Sequence, residues 1–292
     1  MKSGTSILTD RPLLLANENT IGGKAFNLVS LQREGFQVPP FFVLSTELMN
    51  RLVTEFSLAS FIESRLNIVD KSEQKLALKE IREKIQSLKL PQDISSELKS
   101  ELESSVFSGF EFFAVRSSAV GEDSKQASFA GQMDSYLFQK GIDSIEKSII
   151  NCLASIYTDR AYFYRLQKGL PLTPRGAVIV QAMIDADVSG VFFTAHPVNG
   201  RRDMALATAC YGSGEGVVSG ICNADEFTIE LKSGKVIEES IVDKDLAIVF
   251  DHKNGCGTAE VKVEESKRNQ SCMNKELLKE LTKICRDRKS VV

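Results

Sequence analysis

The stretch FFAVRSSAVGEDSKQASFAGQMDSYL, residues 112–137, decides the reading of this chain. It opens on an apolar, strand-like segment from Phe112 to Val115. That strand ends on a cation, Arg116, backed by Ser117 and Ser118. An acidic pair follows, Glu122 and Asp123, and then a loop of small residues, Ser128-Phe129-Ala130-Gly131-Gln132. An arginine at a strand end facing such a loop suits a polyphosphate. The guanidinium offers a planar fork of donors, and Gly131 lets backbone N–H groups approach an anion closely. The plain alternative is a strand, a surface turn and a solvated charge pair, with Arg116 paired to Glu122 or Asp123.

A second segment adds to the first reading. Ile21-Gly22-Gly23-Lys24 opens a stretch whose pattern predicts a helix to about Glu34, with Gly35 as its C-terminal stop. Leu28, Val29 and Leu31 supply its apolar face, and Val38-Pro39-Pro40 prevents any continuation. A Gly-Gly-Lys at a helix start gathers N–H groups, the positive end of the helix dipole and an ammonium in one place. The spacing is not that of a Walker A loop. Read alone, Lys24 is equally a solvated lysine at a helix start.

Four segments, in order, resemble the nucleotide-binding domain of the phosphoenolpyruvate synthase and pyruvate phosphate dikinase family, a domain also shared by the rifampin phosphotransferases. They are IGGKAFNLVSLQREGFQVPPFFVLST (21–46), FAVRSSAVGEDSKQASFAGQMDSYLF (113–138), VIVQAMIDADVSGVFFTAHPVNGRRD (178–203) and ACYGSGEGVVSGICNADEF (209–227). The resemblance covers residues 20–287. It implies an α+β fold of the two-lobed ATP-grasp type, with ATP and Mg²⁺ as cofactors and the nucleotide between the lobes. Pattern alone yields only a mixture of helix and strand.

By that resemblance Lys24 and Arg116 are the catalytic cations, contacting the phosphates and offsetting the charge of the transition state. Residues 128–136 resemble the flexible lid over the phosphates, with Gly131 at the glycine that approaches them and Ser135 where a threonine is usual. Ser135 also reads as a simple strand-start residue. Residues 178–184 resemble the hinge strand that takes the adenine, with Met183 in the apolar sandwich and Gln181 reading the base's polar edge. Gln181 pairing with a neighbouring backbone is the other reading. Glu215 matches the glutamate of the family's Gly-Leu-Gly-Glu, with Ser213 in place of the leucine. It either organises the metal–phosphate region or caps a turn. His196 stands where the family has an acidic residue before Pro197, and a histidine does not replace a fixed anion. Thr194, Arg201, Arg202 and Asp203 surround that turn.

The general bounds agree. The chain has 292 residues, 42% hydrophobic and 26% charged, as a globular protein of one large domain or two lobes has. Its net charge of −3 gives no basic excess for nucleic acid. No apolar run approaches the roughly 18 residues that span a bilayer. Six cysteines lie scattered without a C-x-x-C, and neither His196 nor His252 neighbours a cysteine pair, so a zinc site is not expected. Reduced thiols in a cytoplasmic protein are the simple expectation.

Periodicity predicts helices over 46–66, 72–88 and 95–106, a charge-rich stretch expected as a helical insertion on the first lobe. A further helix is expected through Arg165, with Asp143 and Glu146 at capping-box spacing. Gly169, Pro171 and Pro174 break it, so the lobes are expected as 1–174 and 175–286. Strands are predicted over 177–183, 190–194, 205–209, 226–231 and 235–242. A final helix is predicted over 274–286, with Asn274 as its N-cap.

The resemblance also implies parts beyond this sequence. In the family the metal ligands lie in later Asp-Ile-Glu-Trp and Gln-Ser-Arg-Pro motifs, so no metal ligand is expected before Val292. The second lobe is expected to be incomplete at its C-terminus, with residues 287–292 foreign to the domain. The expected partners are the phosphohistidine and pyruvate-binding, or other acceptor, domains of a parent protein. Three functions follow as alternatives: the ATP module of a phosphoenolpyruvate synthase-like dikinase, a rifampin phosphotransferase-like kinase, or an inactive nucleotide-binding regulatory module. The fragment alone is expected to be inactive.

Overall fold

The computed structural model describes residues 6–68, 70–121, 123–124, 127–128 and 133–289. The chain divides into two compact units, Met1–Ile184 and Asp185–Val292.

The first unit runs β1 (Ile7–Leu8), α1 (Asp10–Leu15), α2 (Glu18–Arg33), β2 (Phe41–Leu44), α3 (Thr46–Glu55), α4 (Ala59–Leu66), α5 (Lys71–Gln86) and α6 (Gln92–Leu102). It continues through β3 (Phe113–Ala119), β4 (Asp123–Ser124), β5 (Ala127–Ser128), β6 (Ser135–Gln139), α7 (Ile142–Ser155), α8 (Asp159–Lys168) and β7 (Gly176–Ala182). Five strands form one antiparallel sheet in the order β1-β2-β7-β3-β6. Strand side chains alternate between faces, so the sheet has two distinct sides. Phe42, Leu44, Val115, Val178 and Val180 meet α3 to α7 on one of them. Phe41, Val43, Ala177 and Ile179 meet Ile21, Ala25 and Val29 of α2 on the other.

The helical stretch after β2 is not an appendage. Leu48 and Leu52 of α3, Leu78, Ile81 and Ile85 of α5, and Leu98 of α6 are at most 1% exposed and join the same core as Phe42. Each such side chain stabilises by roughly 1.5–3 kcal/mol on burial, so this stretch carries much of the first unit's core. The unit boundary also differs from the expected break at 174. Gly169, in the left-handed conformation, closes α8, but β7 then returns into the sheet between β2 and β3. Proline and glycine there end a helix and not a unit. The expected helix through Arg165 is two, α7 and α8, because Thr158 accepts from the Ala161 N–H at 3.3 Å and starts a new one. The Asp143–Glu146 capping box does not form. Gly141, at φ 77°, takes the cap position, and Glu146 accepts from Ser95 instead.

The second unit runs β8 (Val188–Phe193), β9 (Met204–Tyr211), α9 (Glu215–Ser219), β10 (Asp225–Glu230), β11 (Lys235–Ser240), β12 (Leu246–Phe250), β13 (Thr258–Lys262), α10 (Glu265–Arg268) and α11 (Lys275–Lys289). Four strands form an antiparallel sheet, β11-β10-β9-β8, and β12 pairs with β13. Ala205, Ala207, Phe227 and Ile229 pack against Met273, Leu278 and Cys285, which fixes α11 on the sheet. Asn274 caps α11 as expected, its Oδ1 accepting from the Leu277 N–H at 2.8 Å. The helix backbone continues to Lys289, past the expected limit at 286. Among the described residues no cysteine is in a disulfide.

A fully buried ion pair, which the sequence reading missed, ties this unit together. Lys244 Nζ lies 2.6 Å from Asp225 Oδ1, and both side chains are 0% exposed. Asp225 also accepts from the Val242 and Cys272 N–H groups, at 3.1 and 3.0 Å. Lys244 donates further to the Val242 carbonyl at 3.0 Å. Breaking a buried pair from one side costs about 3–5 kcal/mol. Asp225→Ala strands two backbone donors as well as an ammonium, whereas Lys244→Met leaves the carboxylate its two amides. Urea unfolding is therefore expected to show Asp225→Ala as the more destabilising variant. Equal and small losses for both would contradict this account.

Candidate functional site

The candidate phosphate-binding residues converge in the first unit, on the α2 face of its sheet. Gly22 is the hinge of that arrangement. Its φ of 76° and ψ of 169° interrupt α2, so a helical segment restarts at Gly23. A Cβ on Gly22 would lie 2.1 Å from the Ser118 carbonyl oxygen, so only glycine lets the helix start reach β3. Glycine offers no capping side chain, and β3 supplies one: the Ala25 N–H donates to Ser118 Oγ at 3.0 Å. One of the orphan amides of a helix start is thereby satisfied from 93 residues away. Lys24 follows directly, and its Nζ donates to the Ser117 carbonyl at 3.3 Å.

Register brings the other residues to the same face. In antiparallel pairing, opposed residues point to the same side. Arg116 opposes Ile179 of β7 and Ser135 of β6, and Gln181 opposes Ala114 and Phe41. Ile179 and Phe41 pack on α2, so Arg116, Ser135 and Gln181 share the α2 side with Lys24. Arg116 and Lys24 are half-buried and Ser135 is exposed. Gln181 is buried and both ends of its amide are engaged. Its Oε1 accepts from Arg116 at 3.4 Å, and its Nε2 donates to the Pro39 carbonyl at 3.3 Å. It thus orients the guanidinium. Met183 follows β7, half-buried, with its N–H on the Phe112 carbonyl at 2.9 Å. Gly131 and Glu122 lie outside the described residues.

Asp134 organises the far side of β3. Its carbonyl accepts from Ser117 Oγ at 3.2 Å and from the Cys152 thiol at 3.8 Å, and its N–H donates to Ser155 at 3.3 Å. Burial, with Asp134 adding to it, pushes the Cys152 thiol far above the usual range, against the opposing pull of Lys24 and Arg116. A buried, neutral thiol there serves as packing.

In the second unit Glu215 opens α9, behind a turn clamped by backbone bonds. The Gly212 N–H donates to Asp187 O at 2.8 Å and the Ser213 N–H to Ile248 O at 2.7 Å. Gly212, at φ 81°, would place a Cβ 2.3 Å from the Ile248 carbonyl oxygen, so this turn also requires glycine. Among the described residues, Glu215 Oε2 and Ser213 Oγ are buried with no hydrogen-bond partner. The cap position of α9 is taken by Gly214, with no side-chain capping bond. His196 serves its own hairpin. Its Nδ1 accepts from the Val198 N–H at 3.3 Å, and its backbone bonds Arg201 and Gly200. Arg201 forms a two-point pair with Asp203, at 3.0 and 2.6 Å, which meets its need for an anion without residue 196.

Gly22→Ala is expected to be costly in a specific way. Gly35 also has positive φ, 79°, but nothing lies within 4 Å of a Cβ placed there. Gly35→Ala therefore reports backbone strain alone, roughly 1–3 kcal/mol. Gly22→Ala adds a clash with backbone that no rotamer relieves. Thermal unfolding is expected to show a larger loss at 22 than at 35, and equal losses would contradict the close approach of α2 to β3.

Residues 18–290 match the family described as the pyruvate phosphate dikinase AMP/ATP-binding domain. A probable phosphoenolpyruvate synthase of Staphylothermus marinus is 35% identical over 259 residues, covering 85% of this chain and 31% of the relative. The rifampicin phosphotransferase of Bacillus subtilis is 33% identical over 271 residues, covering 91% and 31%. That of Streptomyces sviceus is 36% identical over 259 residues, covering 87% and 29%. The chain spans about a third of the length of these relatives. Among the described residues no helix is long and apolar enough to cross a membrane. With Lys24 and Arg116 on one face beside a glycine-hinged helix start, and a match over nearly its whole length, the chain belongs to the pyruvate phosphate dikinase AMP/ATP-binding domain family.

Proposed function

We propose that this chain binds ATP, and that it is the ATP-binding module of a phosphoenolpyruvate synthase-like (pyruvate, water dikinase) phosphotransferase. The phosphoryl group passes from ATP to a histidine on a part of the protein outside these residues. The observation that carries the reading is the meeting of Lys24 and Arg116 on one sheet face, at the positive end of the helix that restarts after Gly22. A triphosphate brings about four negative charges, and two cations fixed on separate elements offset part of it without rearranging.

Each remaining residue has a role within this proposal. Gln181 holds the Arg116 fork in position for phosphate oxygens. The exposed Ser135 hydroxyl, opposite Arg116, donates to the same group. Gly131 contributes its N–H to the phosphates, and Met183 packs against the adenine. A bound Mg²⁺ would supply positive charge against the phosphates. Glu215, with its orphaned buried oxygen, is suited to the oxygen shell of such a hard cation. Six cysteines outside any disulfide among the described residues agree with a reducing, cytoplasmic setting. Synthase and rifampicin phosphotransferase relatives match about equally, at 35% and 36% identity, so the acceptor, pyruvate or a rifamycin, is specified by other parts of the protein.

Titration calorimetry with ATP and with adenosine tests the assignment. A hydrogen bond to a charged group contributes about 1.5–3 kcal/mol, so Lys24→Ala and Arg116→Ala are each expected to weaken ATP roughly 10- to 100-fold. Adenosine, lacking phosphates, is expected to bind all three proteins alike. Unchanged ATP affinity in both variants would overturn the proposal.

A further inference from the structure

Two of the cysteines meet inside the second unit. Cys210 lies near the end of β9, and Cys222 follows α9. With Ile248 of β12 they form a small buried cluster of their own. Their side chains are hydrogen-bonded to each other, and the Val217 backbone amide of α9 reaches the Cys210 sulfur. The Cys222 sulfur lies against Gly216. A Cβ at 216 would come 2.6 Å from that sulfur, so glycine is what lets α9 rest on the thiol. The Cys222 N–H also donates to the Gly216 carbonyl at 3.1 Å. The pair thus brackets residues 211–221, the segment that carries Gly212, Ser213 and Glu215.

The two thiols are not equivalent. Cys210 is 0% exposed and Cys222 is 6% exposed, with exposed Ile221 and Asn223 on either side of it. Burial, with Cys222 adding to it, pushes the Cys210 thiol up to about 11. Burial raises Cys222 too, but hydrogen bonds from Cys210 and from the Ile248 backbone oppose it. Cys222 is therefore both the nearer to solvent and the readier to lose its proton, and the thiolate is the reactive form. Of the five residues of α9 only Gly216 is buried. Little apolar area holds that helix down, so its local opening is cheap and admits a small oxidant.

We propose that Cys210 and Cys222 form a reversible thiol–disulfide site, oxidised by hydrogen peroxide, that locks the turn carrying Glu215. The Cys222 thiolate attacks one peroxide oxygen, the O–O bond breaks and hydroxide leaves, which takes up the proton that Cys222 released. The sulfenic acid so formed lies beside Cys210, whose thiol displaces its hydroxyl as water and closes the S–S bond. Two thiols and one peroxide become one disulfide and two waters. Only Cys222 has to meet the oxidant, because its partner is already in contact. A small dithiol reverses the step by exchange. A disulfide of this kind, transient and responsive to oxidant, is the sort that a reducing compartment tolerates. The S–S bond is about 2.05 Å long, so closing it draws the Cys222 sulfur from its seat on Gly216. On the proposed function, this couples oxidation to the metal–phosphate end of the nucleotide site through Glu215.

Peptide mapping of the folded full chain after hydrogen peroxide, with free thiols alkylated and no reductant, is the test. A peptide joining Cys210 to Cys222 is expected, with the loss of two hydrogens from the intact chain, both reversed by dithiothreitol. Cys210→Ser is expected to leave a sulfenic acid at Cys222 that dimedone traps. Cys256→Ser removes an exposed thiol and is expected to leave the crosslink unchanged. No joined peptide in the folded chain, or one that forms only in urea, would overturn the proposal. So would crosslinks spread evenly over other cysteine pairs. Calorimetry with ATP and Mg²⁺ tests the coupling separately: oxidation is expected to weaken binding severalfold in the unsubstituted chain and not in Cys222→Ser. Equal affinity of the oxidised and reduced chains would overturn the coupling. A reduced chain that binds no ATP would overturn the proposed function, and the mapped disulfide does not depend on it.

Discussion

The backbone of Gly22 rests on the carbonyl of Ser118, and the candidate site depends on that approach. A Cβ at position 22 would sit 2.1 Å from that oxygen, a distance that no side chain tolerates. With glycine there, the helix restarts against β3 and takes its cap from the Ser118 hydroxyl. The same approach carries Lys24 to the Ser117 carbonyl. Two cations from distant parts of the chain then share one face because one helix start is pinned to the strand that carries the other cation. Within the first unit Lys24 donates to the Ser117 carbonyl and Arg116 to Gln181. On the proposed function, an anion would meet donors already in place.

The second unit shows the same economy with different chemistry. Its sheet is short, and α11 covers it through Leu278 and Cys285, with Met273 just before the helix. The segments that connect sheet, hairpin and α11 bury few apolar groups, and Asp225 gathers them by accepting from Val242, Lys244 and Cys272. A carboxylate buried with full hydrogen bonding specifies one arrangement where apolar packing would allow several. The turn before Glu215 is held comparably, by Gly212 and Ser213 amides on Asp187 and Ile248.

What was legible in the sequence is what short-range chemistry decides. The stop of α2 at Gly35, the Asn274 cap and the strand character of 178–182 each follow from neighbours a few residues apart. Lys24 and Arg116 were legible as cations at motif positions, but not the way in which they meet. Ser118 capping Ala25 across 93 residues leaves no local mark, and strand register is fixed by the whole sheet. Lys244 and Asp225 look like surface residues in a charged stretch, because burial is a property of the packed unit. Two signals were present and unread. Thr158 three residues before Ala161 is a helix-start pattern, and Asn254-Gly255 is a turn signal within the loop 251–257 that joins β12 to β13. The stretch 46–106 read as an insertion because its charges dominate its composition, while its leucines and isoleucines supply much of the core.

The central claim is that Lys24 and Arg116 together receive the phosphates of a nucleotide. Side-chain ¹⁵N resonances of lysine and arginine, assigned by Lys24→Met and Arg116→Met and followed through parallel titrations with ATP and adenosine, test it most directly. The account predicts saturable shifts of both resonances with ATP, at one shared affinity, and none with adenosine. Shifts of neither resonance while ATP binds, or equal shifts with adenosine, would contradict it.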